Sequence, residues 1–193
     1  MSTQPSAQSS PALEKLDQGS QYKLVLFVAP PGSGKSGLIH HWIRHSNIFQ
    51  PIKPLCLSLE PGDNQAHKLL SKLVRELEKW NVNIEEYDLA QIDYETKPAF
   101  SAELHPIIES CLNDVINGIM RLTGDRFLIL LNYHLIEDLN IHKMVSYLLD
   151  YLPPQLHLVI TSQTIPPLQI PRLRVRRELL EIGPEDFKKL SKG

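Results

Sequence analysis

Apolar residues along this chain fall into two alternating patterns. The first is a short unbroken run, and Leu24, Val25, Leu26, Phe27 and Val28 form the clearest one before a Pro/Gly loop. A run of this length, rich in β-branched and aromatic residues, predicts a buried strand. Runs at 54–58, 127–131 and 156–161 predict three more, and 179–182 a fifth. The second pattern recurs every three or four positions and predicts helices. Leu38, Ile39, Trp42 and Ile43 share one face of a helix over 36–45. Leu69, Leu70, Leu73, Val74 and Leu77 mark the next, with Asp63 or Asn64 as its N-cap. Leu104, Ile108, Cys111, Leu112, Val115 and Ile119 mark a long one, with Pro106 in its first turn and Gly124 as its stop. Met144, Val145, Leu148 and Leu149 mark a fourth, capped by Asn140 and ended by Pro153 and Pro154.

Strands that read as continuous apolar runs, separated by helices, specify a parallel sheet covered on both faces. The expected fold is therefore α/β, a three-layer α-β-α domain with a mainly parallel five-stranded sheet. Residues 81–100 are polar and poorly periodic, an irregular excursion. Residues 1–20 are rich in Ser, Gln and Pro and predict a mobile tail. The domain then spans 21–183, and 184–193 forms a basic C-terminal tail.

Composition narrows the class. A chain of 193 residues, 42% hydrophobic and 22% charged, fits one globular domain and excludes collagen-like, disulfide-scaffold and wholly disordered chains. The formal charge of −2 gives no basic field, so a nucleic-acid partner stays open without being indicated, and a membrane partner is not expected. No secretory signal is visible, and the apolar runs are far shorter than the ~20 residues of a membrane span. Cys56 and Cys111 lie in apolar runs and read as reduced, buried thiols of a cytoplasmic protein.

The strongest chemical signal is the segment Ala29, Pro30, Pro31, Gly32, Ser33, Gly34, Lys35, Ser36. It matches GxxxxGK followed by Ser or Thr (the Walker A motif) except at the first glycine, which is Ala29. Gly32 and Gly34 permit a tight turn whose N–H groups converge on an anion, and a helix beginning near Ser36 adds its positive end. Lys35 would reach the β- and γ-phosphates, and the Ser36 hydroxyl would ligate Mg²⁺ held by the nucleotide. The expected cofactor is ATP or ADP with Mg²⁺, bound by Pro31, Gly32, Ser33, Gly34, Lys35, Ser36 and Gly37. The alternative is a Gly/Pro turn with an incidental lysine.

Further segments carry a resemblance. Ser58, Leu59, Glu60, Pro61, Gly62, Asp63 and Asn64 resemble the segment after the second strand of the large LuxR-type ATP-dependent regulators. Those belong to the signal-transduction ATPases with numerous domains (STAND), relatives of the AAA+ class. Phe127 through Ile136 resembles their "hhhhDDYHLI" strand, 156–167 their fourth strand and its exit, and Leu173, Arg174, Val175 and Arg176 their "LRVR". The resemblance runs from about 23 to 182 and implies a P-loop NTPase domain that binds adenine nucleotide. It fails where hydrolysis would live: Leu131 and Asn132 replace the paired Walker B aspartates, and Gln163 replaces the sensor arginine. Glu60, Asp63, Glu137 and Asp138 are candidate substitutes for the lost acids. Full-length relatives continue into a helical lid, a winged helix, a sensor and a DNA-binding domain, whereas this chain reaches only Gly193.

Three function classes follow. The first is a nucleotide-dependent regulatory or assembly protein with weak or absent hydrolysis, acting through a partner chain or self-assembly. The second is a pseudo-ATPase scaffold whose loop is a relic. The third is an ATPase completed by neighbouring subunits and working with nucleic acid. Elsewhere, Arg172, Arg174 and Arg176 alternate with apolar residues, predicting three guanidinium groups on one face of a strand. That face is either a solvated edge or a strip for a phosphate or a partner. His41 and His45 share a helix face and read as an exposed pair rather than a metal site.

Overall fold

The structure is a computed structural model and describes residues 11–84, 87 and 104–187. Five strands form one parallel sheet in the order β2-β3-β4-β1-β5. They are β1 (Leu24–Val28), β2 (Leu55–Ser58), β3 (Arg126–Leu131), β4 (Leu156–Ser162) and β5 (Leu179–Ile182). The helices are α1 (Pro11–Leu16), α2 (Lys35–His45), α3 (Ala66–Leu77), α4 (Pro106–Met120), α5 (Leu139–Asp150), α6 (Ile170–Val175) and α7 (Pro184–Phe187).

Strand side chains alternate between the two faces, and each face has its own core. Leu24, Leu26, Leu128, Leu130, Leu158 and Ile160 pack with α3, α4, α5 and α6. Val25, Phe27, Phe127, Ile129 and Val159 pack with α1 and α2. On that second side Trp42, Phe49 and Phe127 meet edge to face, with centroids 4.6 to 6.0 Å apart. The expected three layers are present.

Several local expectations are corrected. Residues 11–20 do not belong to a tail: Ala12 and Leu16, one turn apart on α1, are fully buried against the second core. Asp17 then accepts hydrogen bonds from Trp42 Nε1 at 3.1 Å and from the Ser46 hydroxyl. Composition averaged over twenty residues hides this one apolar stripe; residues 1–10 lie outside the described set. At the other end, 184–187 form a helical turn tied to α1 by Lys15 and Asp186 at 3.2 Å, and 188–193 lie outside the described residues. Within the expected excursion at 81–100, Val82 is buried, while 85–86 and 88–100 lie outside the described residues.

The arginine alternation is helical, not extended. Ile170 and Leu173, three apart, bury one face of α6, and Pro171 sits harmlessly in its first turn. Arg172 pairs with Asp150 at 2.8 Å, and Arg174 forks onto Glu181 at 2.8 and 3.0 Å. Cys56 is exposed, because β2 is an edge strand that buries only Leu55 and Leu57; Cys111 is buried, and burial pushes its thiol up to about 11. Asp138, not Asn140, caps α5 by accepting the Asn140 N–H at 2.8 Å, and Gln65 occupies the N-cap of α3.

Candidate functional site

Parallel pairing places the ends of β1 and β4 side by side, with Val28 opposite Ser162, and β3 adjacent to β4. Ligand sites of open parallel sheets lie beyond such carboxyl ends. Here the loop after β1 turns through Gly32 (φ 74°) and Gly34 (φ 86°), both left-handed. A side chain at either would strain the backbone, so the two glycines are required by conformation. Gly34 occupies the N-cap of α2, and its carbonyl accepts the Leu38 N–H at 3.0 Å.

Residues 31–37 line a cavity of about 450 Å³ that is completed by Asn132, His134 and Gln163. The segment singled out in the sequence is thus contiguous in space. The Lys35 ammonium folds back on the loop, donating to the carbonyls of Ala29 and of Pro30 (2.9 Å) and approaching the Ser33 hydroxyl at 3.4 Å. Burial holds its pKa below the ordinary lysine value.

The opposite wall comes from the ends of β3 and β4. Asn132 adopts φ 63°, and its N–H donates to Thr161 Oγ1 at 3.0 Å. Leu131 packs its side chain on the core shared with α1 and α2. His134 is half-buried, and its Nδ1 is buried without a hydrogen-bond partner. Burial and the neighbouring Lys35 both depress its pKa.

None of the candidate substitute acids lines the cavity. Asp63 Oδ2 accepts the Glu60 N–H at 2.9 Å and pairs with Lys72 at 3.0 Å. Asp138 caps α5. Asn64 explains much of the quoted segment: its Oδ1 accepts the N–H groups of Glu137 (2.7 Å) and Asp138 (3.2 Å), and its Nδ2 donates to the Leu135 carbonyl at 2.7 Å. The exit of β2 therefore clamps the turn that carries His134. Sequence reasoning offered Asn64 only as a helix cap and passed over His134, although each lay inside a quoted segment. Their roles depend on contacts 71 to 74 residues apart, which no local pattern encodes.

Among the described residues no group of three or more His, Cys, Asp or Glu converges, so the His41–His45 ring pair (4.4 Å) stands alone. A second cavity of about 550 Å³ lies between α4, α5 and the 167–169 stretch, lined in part by Glu109, Asp150 and Tyr147. Its lining also includes Lys143 and His142, so it carries charges of both signs. Among the described residues no helix is long and apolar enough to cross a membrane.

No protein-family model matches the chain. It is 31% identical over 177 residues to the HTH-type transcriptional regulator MalT of Vibrio cholerae, covering 90% of this chain and 18% of that protein. It is 30% identical over 175 residues to MalT of Klebsiella pneumoniae, covering 91% and 18%. The chain thus spans less than a fifth of the length of these curated relatives. Among solved structures, its fold is similar to Cdc6p from Pyrobaculum aerophilum (TM-score 0.55, 13% identical, 92% of this chain and 47% of that one). It is also similar to a chain of Drosophila ORC bound to AT-rich DNA and Cdc6 (TM-score 0.55, 10% identical, 90% and 55%). Over 90% of its length the chain is thus homologous to the MalT regulators, and its parallel α/β architecture is similar to that of the ORC and Cdc6 chains.

Proposed function

We propose that this chain binds adenine nucleotide in the 31–37 cavity and acts as a regulatory or assembly domain with weak or absent intrinsic hydrolysis. One observation carries the reading. Two left-handed glycines, a lysine and the start of an eleven-residue helix converge on a single cavity at the carboxyl end of a parallel sheet. Converging N–H groups and one ammonium suffice for holding phosphates. In-line attack needs a positioned water and charge stabilisation as well. At those positions stand Leu131, Asn132 and Gln163, a hydrocarbon and two neutral amides.

The phosphate tail fits the cavity, but Mg²⁺ fits it poorly on the protein side. Magnesium sites combine substrate phosphates with one or two carboxylates. Ser36 offers one hydroxyl, and among the described residues no acidic side chain lines the cavity. The regulators' names and the DNA-bound ORC assembly favour a protein partner or self-assembly as the output. A scaffold with a relic loop is the second reading, favoured by the internal hydrogen bonds that occupy Lys35.

Thermal unfolding with added ATP or ADP separates the two. A ligand at 100 times its dissociation constant adds about 2.7 kcal/mol of stability. That gain, together with phosphate release no faster than in buffer, supports the proposal. No gain at saturating nucleotide leaves the scaffold.

A further inference from the structure

Among the described residues, the cavity is lined by two groups capable of positive charge and by no acidic one. Lys35 enters from the start of α2, and His134 from the turn after β3. Two of the candidate acids are engaged elsewhere, Asp63 with Lys72 and the Glu60 N–H, Asp138 with the cap of α5. The last residue of β3 turns a leucine into the core, where it has no donor atom to offer. Lys35 and a protonated His134 would repel each other, which is why Lys35 disfavours the charged imidazole in the free protein, and a metal cation entering between them would add to the repulsion. An anion between them reverses the sign of every one of these interactions.

We propose that the site takes its nucleoside phosphate without a protein-bound metal, with Lys35 and His134 together neutralising the phosphate that Mg²⁺ and an acidic pair would otherwise manage. The proposal rests on the nucleotide-binding reading above and specifies its chemistry. His134 is a binding residue in this scheme, and Asn64 positions the turn that carries it.

The test is equilibrium dialysis of ADP and of pyrophosphate against the purified chain, once in excess Mg²⁺ and once in excess EDTA. Metal-free ADP should bind at least as tightly as in Mg²⁺. His134→Gln should weaken both ligands about tenfold with or without metal, the loss of one charge-assisted hydrogen bond. Wild-type binding that falls tenfold or more in EDTA overturns the inference while leaving nucleotide binding intact. Absence of binding in both buffers removes the nucleotide reading, and this inference with it. The wild-type comparison needs no variant to fold.

Discussion

The Lys35 ammonium donates to the Pro30 carbonyl at 2.9 Å, so the cation of the phosphate loop closes on its own loop. Phosphate binding must exchange these internal bonds for charge-assisted ones, which are about twice as strong. The lysine is half-buried, and its present partners are loop carbonyls that water can also serve. Lys35→Ala should therefore change the unfolding free energy of the free protein by no more than about 1 kcal/mol. The nucleotide-induced rise in melting temperature should vanish in the same variant. A full rise in Lys35→Ala would mean that the ammonium takes no part in binding.

Gly118 inverts the usual rule for helix glycines. Replacing an exposed mid-helix glycine by alanine gains roughly 0.5–1 kcal/mol. On α4 the added Cβ would stand 2.6 Å from Val82 Cγ1, inside the forbidden range. Gly118→Ala should destabilise by about 1–3 kcal/mol through overpacking. Val82→Ala in the same chain should recover much of that loss. Urea unfolding of the two single variants and the double variant measures the coupling.

Leu16 tests the docking of α1. It is fully buried against the core that contains Trp42 and Phe127. Leu16→Ala should cost about 2–5 kcal/mol, as for other buried leucines. A change below about 0.5 kcal/mol would return residues 11–20 to the status of a tail.

Stability should fall with acid, and His142 contributes. Its ring is buried, with Nδ1 3.0 Å from the Tyr133 hydroxyl, and burial lowers its pKa although Asp138 opposes the shift. The unfolded chain, with an ordinary value near ~6.5, takes up the proton first. Stability is therefore flat above that pH, declines as the pH drops through it, and levels off only below the folded-state value. His134 is shifted in the same direction and adds to the effect. The wild-type unfolding free energy should drop between pH 7 and pH 5, and His142→Gln should show a shallower drop. Equal slopes would exclude His142 as a source.

The sheet was legible because each strand is a run of apolar residues bounded by Pro, Gly or charge, and β5 at 179–182 matches to the residue. The phosphate loop was legible because its chemistry is local: two glycines act through their backbone and the adjacent lysine through its ammonium. What stayed hidden depends on partners distant in sequence. The alternation at 172–176 mimics a strand, and only the burial of Ile170 and Leu173 turns it into α6. Cys56 resembles Cys111 until the strand order puts β2 at an edge. The far wall of the cavity, with His134 steadied by Asn64, is assembled by sheet topology and has no signature of its own.

The central claim is that the 31–37 cavity holds a nucleoside phosphate through Lys35. Radiolabelled ADP in equilibrium dialysis tests it most directly. The account predicts one equivalent bound per chain, displaced by unlabelled pyrophosphate and absent from Lys35→Ala. Retention that is equal in wild type and Lys35→Ala, or none in wild type at saturating ADP, would contradict it.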